Sequence, residues 1–178
     1  MKLQSHLDYV ATLDVSAAPT TACLLDTWRE VPPFLRALLT ADGTVTLLLA
    51  AYFNEPIDIR LMGQGETELA TDIPALGLAA GERAFYRGVD LIGRVSGNCY
   101  ASAMSVLNPG ALPTSLFNAL TSEDVGMGEV LRNASRGSYR EVIDVIPVGD
   151  DVQRTYTVAL GVRPGILITE TFRMAAFG

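Results

Sequence analysis

The residue of greatest chemical interest in this chain is Glu170, a carboxylate inside an apolar strand pattern near the end of the sequence. It lies in the run Gly165–Phe172, which follows the break at Arg163-Pro164. The β-branched residues and the closing aromatic are typical of a buried or half-buried strand. Burying an ionised glutamate without compensation costs on the order of several kcal/mol. The pattern therefore indicates either a structural ion pair or a group that performs chemistry, and these residues favour neither.

Arginine is the side chain best suited to pair with such a carboxylate, because its planar guanidinium can donate two parallel hydrogen bonds. The chain has twelve arginines and one lysine, although a preference for arginine codons explains that excess equally well. Strands that could neighbour Glu170 carry four candidate partners: Arg83, Arg87, Arg140 and Arg154.

Arg87 is the candidate most suited to an anion-binding pocket. Strand parity places it on one face with Phe85 and Val89, while Tyr86 and Gly88 point the other way. An arginine among apolar neighbours is typical of a pocket with one anion-binding group. The alternative is an arginine at a sheet edge whose charge reaches water.

Histidine, cysteine and metal chemistry have little support in the sequence. His6 is the only histidine and has no acidic or cysteine partner nearby, which excludes a catalytic triad or a multi-histidine metal site. Cys23 and Cys99 are far apart and show no metal-ligand spacing, so we expect two reduced thiols. We predict no metal site, and chemistry that depends on carboxylates, arginines, tyrosines or backbone groups.

Composition limits the class of protein and its partners. The 178 residues, 49% hydrophobic and 19% charged, predict one globular domain over 1–178, with residues 1–25 partly irregular. A net charge of −7 argues against nucleic acid and anionic membranes as partners. The apolar runs are shorter than the roughly 20 residues that span a bilayer, and no secretory signal is visible. We therefore expect a cytoplasmic protein.

The element pattern predicts an α+β domain built on a single antiparallel sheet of about six strands, with helices on one face. A helix is predicted to begin near Pro32-Pro33, and three further helices over 47–52, 112–119 and 126–132. The predicted strands are 57–62, 83–92, 99–107, 138–148, 154–160 and 165–172. Gly126-Met127-Gly128 could bring backbone N–H groups close to a ligand, although an ordinary loop-to-helix turn explains the motif better.

These segments resemble, in order, motifs of the chorismate pyruvate-lyase family. The matching stretches cover about residues 35–173: Asp42-Gly-Thr-Val-Thr-Leu-Leu-Leu49, Ala51-Tyr-Phe-Asn-Glu-Pro56, Tyr86-Arg-Gly-Val-Asp-Leu91, Leu112-Pro113, Gly126-Met-Gly-Glu-Val-Leu131, Tyr139-Arg-Glu141, Arg154-Thr-Tyr156 and Pro164-Gly-Ile-Leu-Ile-Thr-Glu-Thr-Phe172. The resemblance rests on the ordered set, because no single motif is diagnostic.

The resemblance implies a lyase that converts chorismate to 4-hydroxybenzoate and pyruvate without a metal or organic cofactor. It implies helical flaps that close over a buried pocket for a small organic acid. By position, Arg87 matches the arginine that binds the ring carboxylate, and Glu170 the carboxylate that faces the ring hydroxyl and the departing group. Met127 and Val45 match residues that the two flaps place against the product.

One position departs from the family pattern. Where such lyases carry a second arginine on the third strand, this chain has Met104. Arg94, Arg140 or Arg154 would then have to bind the second substrate charge. Two alternatives follow: a cyclase, isomerase or lyase of this fold that acts on a more apolar substrate, or a non-catalytic binder of aromatic acids. The sequence leaves monomer and dimer equally open.

Overall fold

The computed structural model describes residues 2–14, 28–41, 45–122, 130–131, 138–160 and 163–178. Within them, one antiparallel sheet has six strands: β1 (Ile57–Glu68), β2 (Arg83–Gly93), β3 (Cys99–Leu107), β4 (Ser138–Val148), β5 (Asp151–Leu160) and β6 (Pro164–Phe172). Their order is β1-β2-β3-β6-β5-β4, and every neighbouring pair is antiparallel. The predicted α+β class with six antiparallel strands is confirmed. The last strand of the chain therefore lies inside the sheet, which buries Glu170.

The described α-helices are α1 (Leu3–Ala11), α2 (Pro33–Thr40), α3 (Val45–Phe53) and α4 (Thr114–Thr121). Prolines precede or open α2 and α4, where a missing backbone N–H costs nothing. The bounds of α3 and α4 lie within two residues of the predicted helices. In the described part of the chain, no helix is long and apolar enough to cross a bilayer.

β1 is twice as long as its sequence pattern predicts, because it continues past 62 to Glu68. Gly63 and Gly65 lie inside the added half and pair with Gly88 and Tyr86 of β2. Glycine weakens the sequence signal for a strand. The backbone pairing with β2, which resumes after a register shift between Leu61 and Gly63 and continues to Glu68, outweighs that local preference.

Strand parity gives the sheet two differently covered faces. The front face carries Ile168, Glu170 and Phe172 of β6, and α2, α3 and α4 pack their apolar residues against it. The back face carries Leu167, which packs with Leu7 and Val10 of α1 and with the 3-10 turn Pro74–Leu76. The helices therefore cover both faces, with three of the four described α-helices on the front.

The N-terminal segment contains more regular structure than its weak periodicity predicts. Leu3, Leu7 and Val10 recur at helical spacing, and Leu7 and Val10 are buried against the back face. His6 of the same helix is completely buried. Residues 15–25 of the segment expected to be partly irregular lie outside the described part of the chain.

Candidate active site

Glu170 pairs with Arg154, one of the four arginines that the sequence offered. The two residues are directly opposite each other in β6 and β5. Arg154 donates from Nε at 3.2 Å and from Nη2 at 2.6 Å, both to Oε2 of Glu170. Only 2% of Arg154 and 5% of Glu170 are exposed. The carboxylate is therefore held in one orientation by a buried cation.

Arg154 also holds the end of a helix. Its Nη1 donates to the carbonyl oxygens of Leu38 at 2.8 Å, Leu39 at 3.1 Å and Ala41 at 3.2 Å, at the C-terminus of α2. Helix C-termini favour cations because their last carbonyls lack intrahelical partners. All three guanidinium nitrogens thus bind protein oxygens. This arrangement suits Arg154 to orienting Glu170 more than to binding a substrate.

Tyr156 is a site residue that the sequence analysis missed. Its hydroxyl donates to Oε1 of Glu170 at 3.2 Å, and the guanidinium of Arg154 lies 4.8 Å from its ring centroid. Burial, and next the charge of Glu170, raise the pKa of the Tyr156 phenol well above its usual value. The hydroxyl therefore stays protonated as a donor. Its position two residues after Arg154, on the same strand face, was the available signal.

Arg87 is buried on the same face, two strands away from Glu170. It is 3% exposed and donates from Nη1 to the carbonyl oxygens of Leu120 at 3.0 Å and Ser122 at 2.6 Å, at the end of α4. Strand spacing and register separate the Cα atoms of Arg87 and Glu170 by about 12 Å. The long side chains of Arg87 and Glu170 thus lie on opposite sides of β3, on the same face of the sheet.

The strand between them offers small side chains. On the front face β3 presents Ala103 and Ser105, which pair with Val89 and Arg87 of β2. Ala103 also pairs with Glu170, and it and Val89 are half-buried, whereas Glu170 beside them is buried. Ala103 and Ser105 therefore give the sheet a floor of small side chains between the arginine and the carboxylate.

Met104 does not belong to this site, contrary to the sequence interpretation. It pairs with Gly88 and Thr169, which point to the back face. A Cβ built at Gly88 would lie 3.2 Å from the Met104 methyl carbon, which places the side chain over that glycine. Because side chains alternate along a strand, a shift of one residue moves a position to the other face. Ala103 and Ser105 occupy the front-face positions instead.

Val45 and Met127 were the two predicted flap residues. Val45 is the first residue of α3, 7% exposed, and packs in the cluster that covers Leu91 and Ala101 of the sheet. It therefore lies on the front face. Met127 lies outside the described residues.

A cavity of about 590 Å³ lies away from these charged groups. Its lining includes Leu76, Asn108, Ile143 and Arg163, and none of Glu170, Arg87 or Arg154. The buried charges identify the candidate site better than this cavity does, because its lining mixes apolar residues with exposed charges. Among the described residues, no group of three or more His, Cys, Asp and Glu side chains could hold a metal ion.

Comparison with known proteins relates this chain to enzymes of a single named activity. No protein-family model matches the chain. The chain is similar to chorismate pyruvate-lyases. It is 28% identical to that of Mycobacterium leprae over 165 residues, which cover 84% of this chain and 78% of the relative. It is 25% identical to that of Mycobacterium tuberculosis over 168 residues, 84% of each chain.

A solved structure shares the fold. The crystal structure of PhnF from Mycobacterium smegmatis matches with a TM-score of 0.55, covering 78% of this chain and 67% of that one. At 11% sequence identity, this likeness concerns the architecture of the sheet and helices alone.

Proposed function

We propose that this protein is a lyase that eliminates pyruvate from chorismate and releases 4-hydroxybenzoate. The observation that carries the proposal is the buried carboxylate Glu170, oriented by Arg154 and Tyr156, on the same face as the buried cation Arg87. The names of the relatives supply the reaction class.

For the proposed reaction, the protein must hold the substrate in position and move one proton from the ring to the departing group. The bond between ring carbon 3 and the ether oxygen breaks, ring carbon 4 loses its proton, and the ring becomes aromatic. The departing enolpyruvyl group takes up one proton at its methylene carbon and becomes pyruvate. Aromatisation supplies the driving force, so holding the substrate in a dry, oriented state is the main task.

Each site residue has a role in this scheme. Arg87 binds the ring carboxylate, and the small side chains of Ala103 and Ser105 accept the ring. Glu170 faces the ring hydroxyl and the ether, where it can accept and return the proton. Arg154 and Tyr156 keep Glu170 oriented. Val45 contributes to the apolar cover, and we propose the same for Met127.

The direct test is to mix the purified protein with chorismate and measure 4-hydroxybenzoate by chromatography and pyruvate by a coupled lactate dehydrogenase assay. The proposal expects both products in equal amounts, at a rate proportional to protein concentration. Absence of both products with folded wild-type protein would contradict it.

A binder of aromatic acids is the second candidate, because both oxygens of Glu170 already accept hydrogen bonds from the protein. A carboxylate in that state can serve structure alone. Titration calorimetry with 4-hydroxybenzoate separates the two functions. Binding without chorismate turnover would favour the binder, and turnover would exclude a purely binding role.

A further inference from the structure

The charged groups of the site lie beneath helices that close it. Arg87, Arg154 and Glu170 are each at most 5% exposed, under the helices of the front face. A substrate can therefore reach them only if part of this cover moves. The contacts that hold these helices against the sheet therefore determine when the site opens.

Arg154 fastens α2 to the sheet and to Glu170 at once. One side of its guanidinium holds Oε2 of Glu170, and Nη1 holds three carbonyl oxygens at the C-terminus of α2. We propose that Arg154 is a positioning residue that couples the charge of Glu170 to the closure of α2 over the site. This goes beyond the proposed function, since it concerns how the site opens.

The coupling follows from the shared guanidinium. While Glu170 is ionised, its attraction fixes Arg154 in the place from which Nη1 reaches the end of α2. When Glu170 takes up a proton or turns an oxygen towards a ligand, that attraction weakens. The bonds to the α2 carbonyls then lose their support, and the last turn of α2 opens more readily.

The second buried arginine supplies a comparator within the same molecule. Arg87 holds the end of α4 through the carbonyls of Leu120 and Ser122. The arginine that pairs with Glu170 is Arg154. A change at Arg154 or Glu170 should therefore loosen α2 and spare α4. A change at Arg87 should do the reverse.

Hydrogen exchange of the unliganded protein, followed by mass spectrometry or NMR, tests this coupling. In Arg154→Lys, a single ammonium cannot span Glu170 and three carbonyls, so amides of residues 37–41 should exchange at least about ten-fold faster. Amides of residues 118–121 in α4 should change less than about two-fold, after correction for global stability measured with urea. Tyr156→Phe is the matched control, because it removes a hydrogen bond to Glu170 and leaves Arg154 in place; it should leave α2 unchanged.

Glu170→Gln is the second variant, since it keeps the shape of the side chain and removes its charge. It should accelerate exchange in α2 selectively, even if Arg154→Lys does not fold. Equal acceleration in α2 and α4, or unchanged exchange in α2, would overturn the coupling. Since these measurements use no chorismate, failure of the proposed reaction would be visible separately in the product assay.

Discussion

Two neighbouring residues of β6, Thr169 and Glu170, show how differently the two faces of the sheet use buried polar groups. On the back face, Thr169 shares a hydrogen bond of 3.1 Å with Thr155, which in turn lies 3.1 Å from the hydroxyl of Tyr9. That hydroxyl donates to Asp144 at 2.9 Å, and burial raises the pKa of Tyr9 to about 12. This network joins α1 to the sheet.

The front face buries an arginine–glutamate pair, whereas the back-face network joins buried hydroxyl groups to the half-buried carboxylate of Asp144. Glu170 is bound by a guanidinium and a phenol, and beside it Val89 and Ala103 keep partial exposure. Thr155 and Thr169 on the back face are completely buried. Burial of a polar side chain therefore does not by itself indicate function. We propose that a buried charge pair beside small, half-buried side chains does, and variants on the two faces test that distinction.

Glu170→Gln should have the largest effect on activity. Removing the proton acceptor of a proposed acid/base step should lower kcat by about 1,000-fold. The matched control is Thr169→Val, which removes a buried hydroxyl from the adjacent back-face position and should leave kcat within about two-fold. Steady-state kinetics with chorismate, together with urea unfolding of each variant, checks both.

A different pattern would break the comparison between the faces. If Glu170→Gln lost activity only in proportion to its unfolded fraction, Glu170 would serve only as the structural partner of Arg154. If Thr169→Val lost as much activity as Glu170→Gln, the front face would have no special role.

Arg87→Gln should weaken the binding of 4-hydroxybenzoate by about 100-fold, because truncating one partner of a buried charge pair costs on the order of 2–5 kcal/mol. Arg83→Gln is the control on the same strand, since Arg83 is exposed and pairs with Glu66 at the surface. Calorimetric titration measures both affinities. Equal affinities of the two variants for 4-hydroxybenzoate would show that Arg87 does not bind the ligand.

The back face should instead control how stability depends on pH. Burial, with a smaller contribution from the N-terminal amino group, lowers the pKa of His6 from 6.5 to about 4. The unfolded chain therefore takes up a proton near pH 6.5 that the folded chain resists until about pH 4. Stability is full above pH 6.5 and should fall by about 2 kcal/mol between pH 7 and 4.5.

His6→Leu should remove most of that dependence. Urea unfolding at pH 7 and pH 4.5 measures it. Over that range Glu55, whose pKa is lowered from 4.5 to about 2, keeps most of its contribution, because that contribution is lost mainly between pH 4.5 and pH 2. An equally steep pH dependence in His6→Leu would show that another group is responsible.

Tyr156→Phe should have the smallest effect on the front face. Losing one hydrogen bond to Glu170, while Arg154 still orients it, should slow turnover by about ten-fold. Tyr139→Phe is the control, because Tyr139 on β4 is 65% exposed. A loss as large as that of Glu170→Gln would instead mean that the phenol takes part directly in the reaction.

Strand parity explains which parts of the site the sequence could predict. Alternation placed Arg87 on one face with Phe85 and Val89, and the observed register agrees. The six strands were found because β-branched runs and turns mark them strongly. The added half of β1 was missed because Gly63 and Gly65 carry no strand preference of their own.

Long-range register explains what the sequence could not predict. Four arginines were possible partners of Glu170, and only the pairing of β5 with β6 selects Arg154. Met104 was assigned to the site although β3 turns it to the back face, an error of one residue. The contacts of Arg154 with α2 join residues more than one hundred positions apart. No local pattern encodes such a contact.

A crystal structure of the protein grown with 4-hydroxybenzoate would test the central claim most directly. The ring should lie over Ala103 and Ser105, with its carboxylate on Arg87 and its hydroxyl towards Glu170. A ligand bound only on the back face, or in the cavity lined by Leu76 and Ile143, would contradict the assignment of the site to the front face.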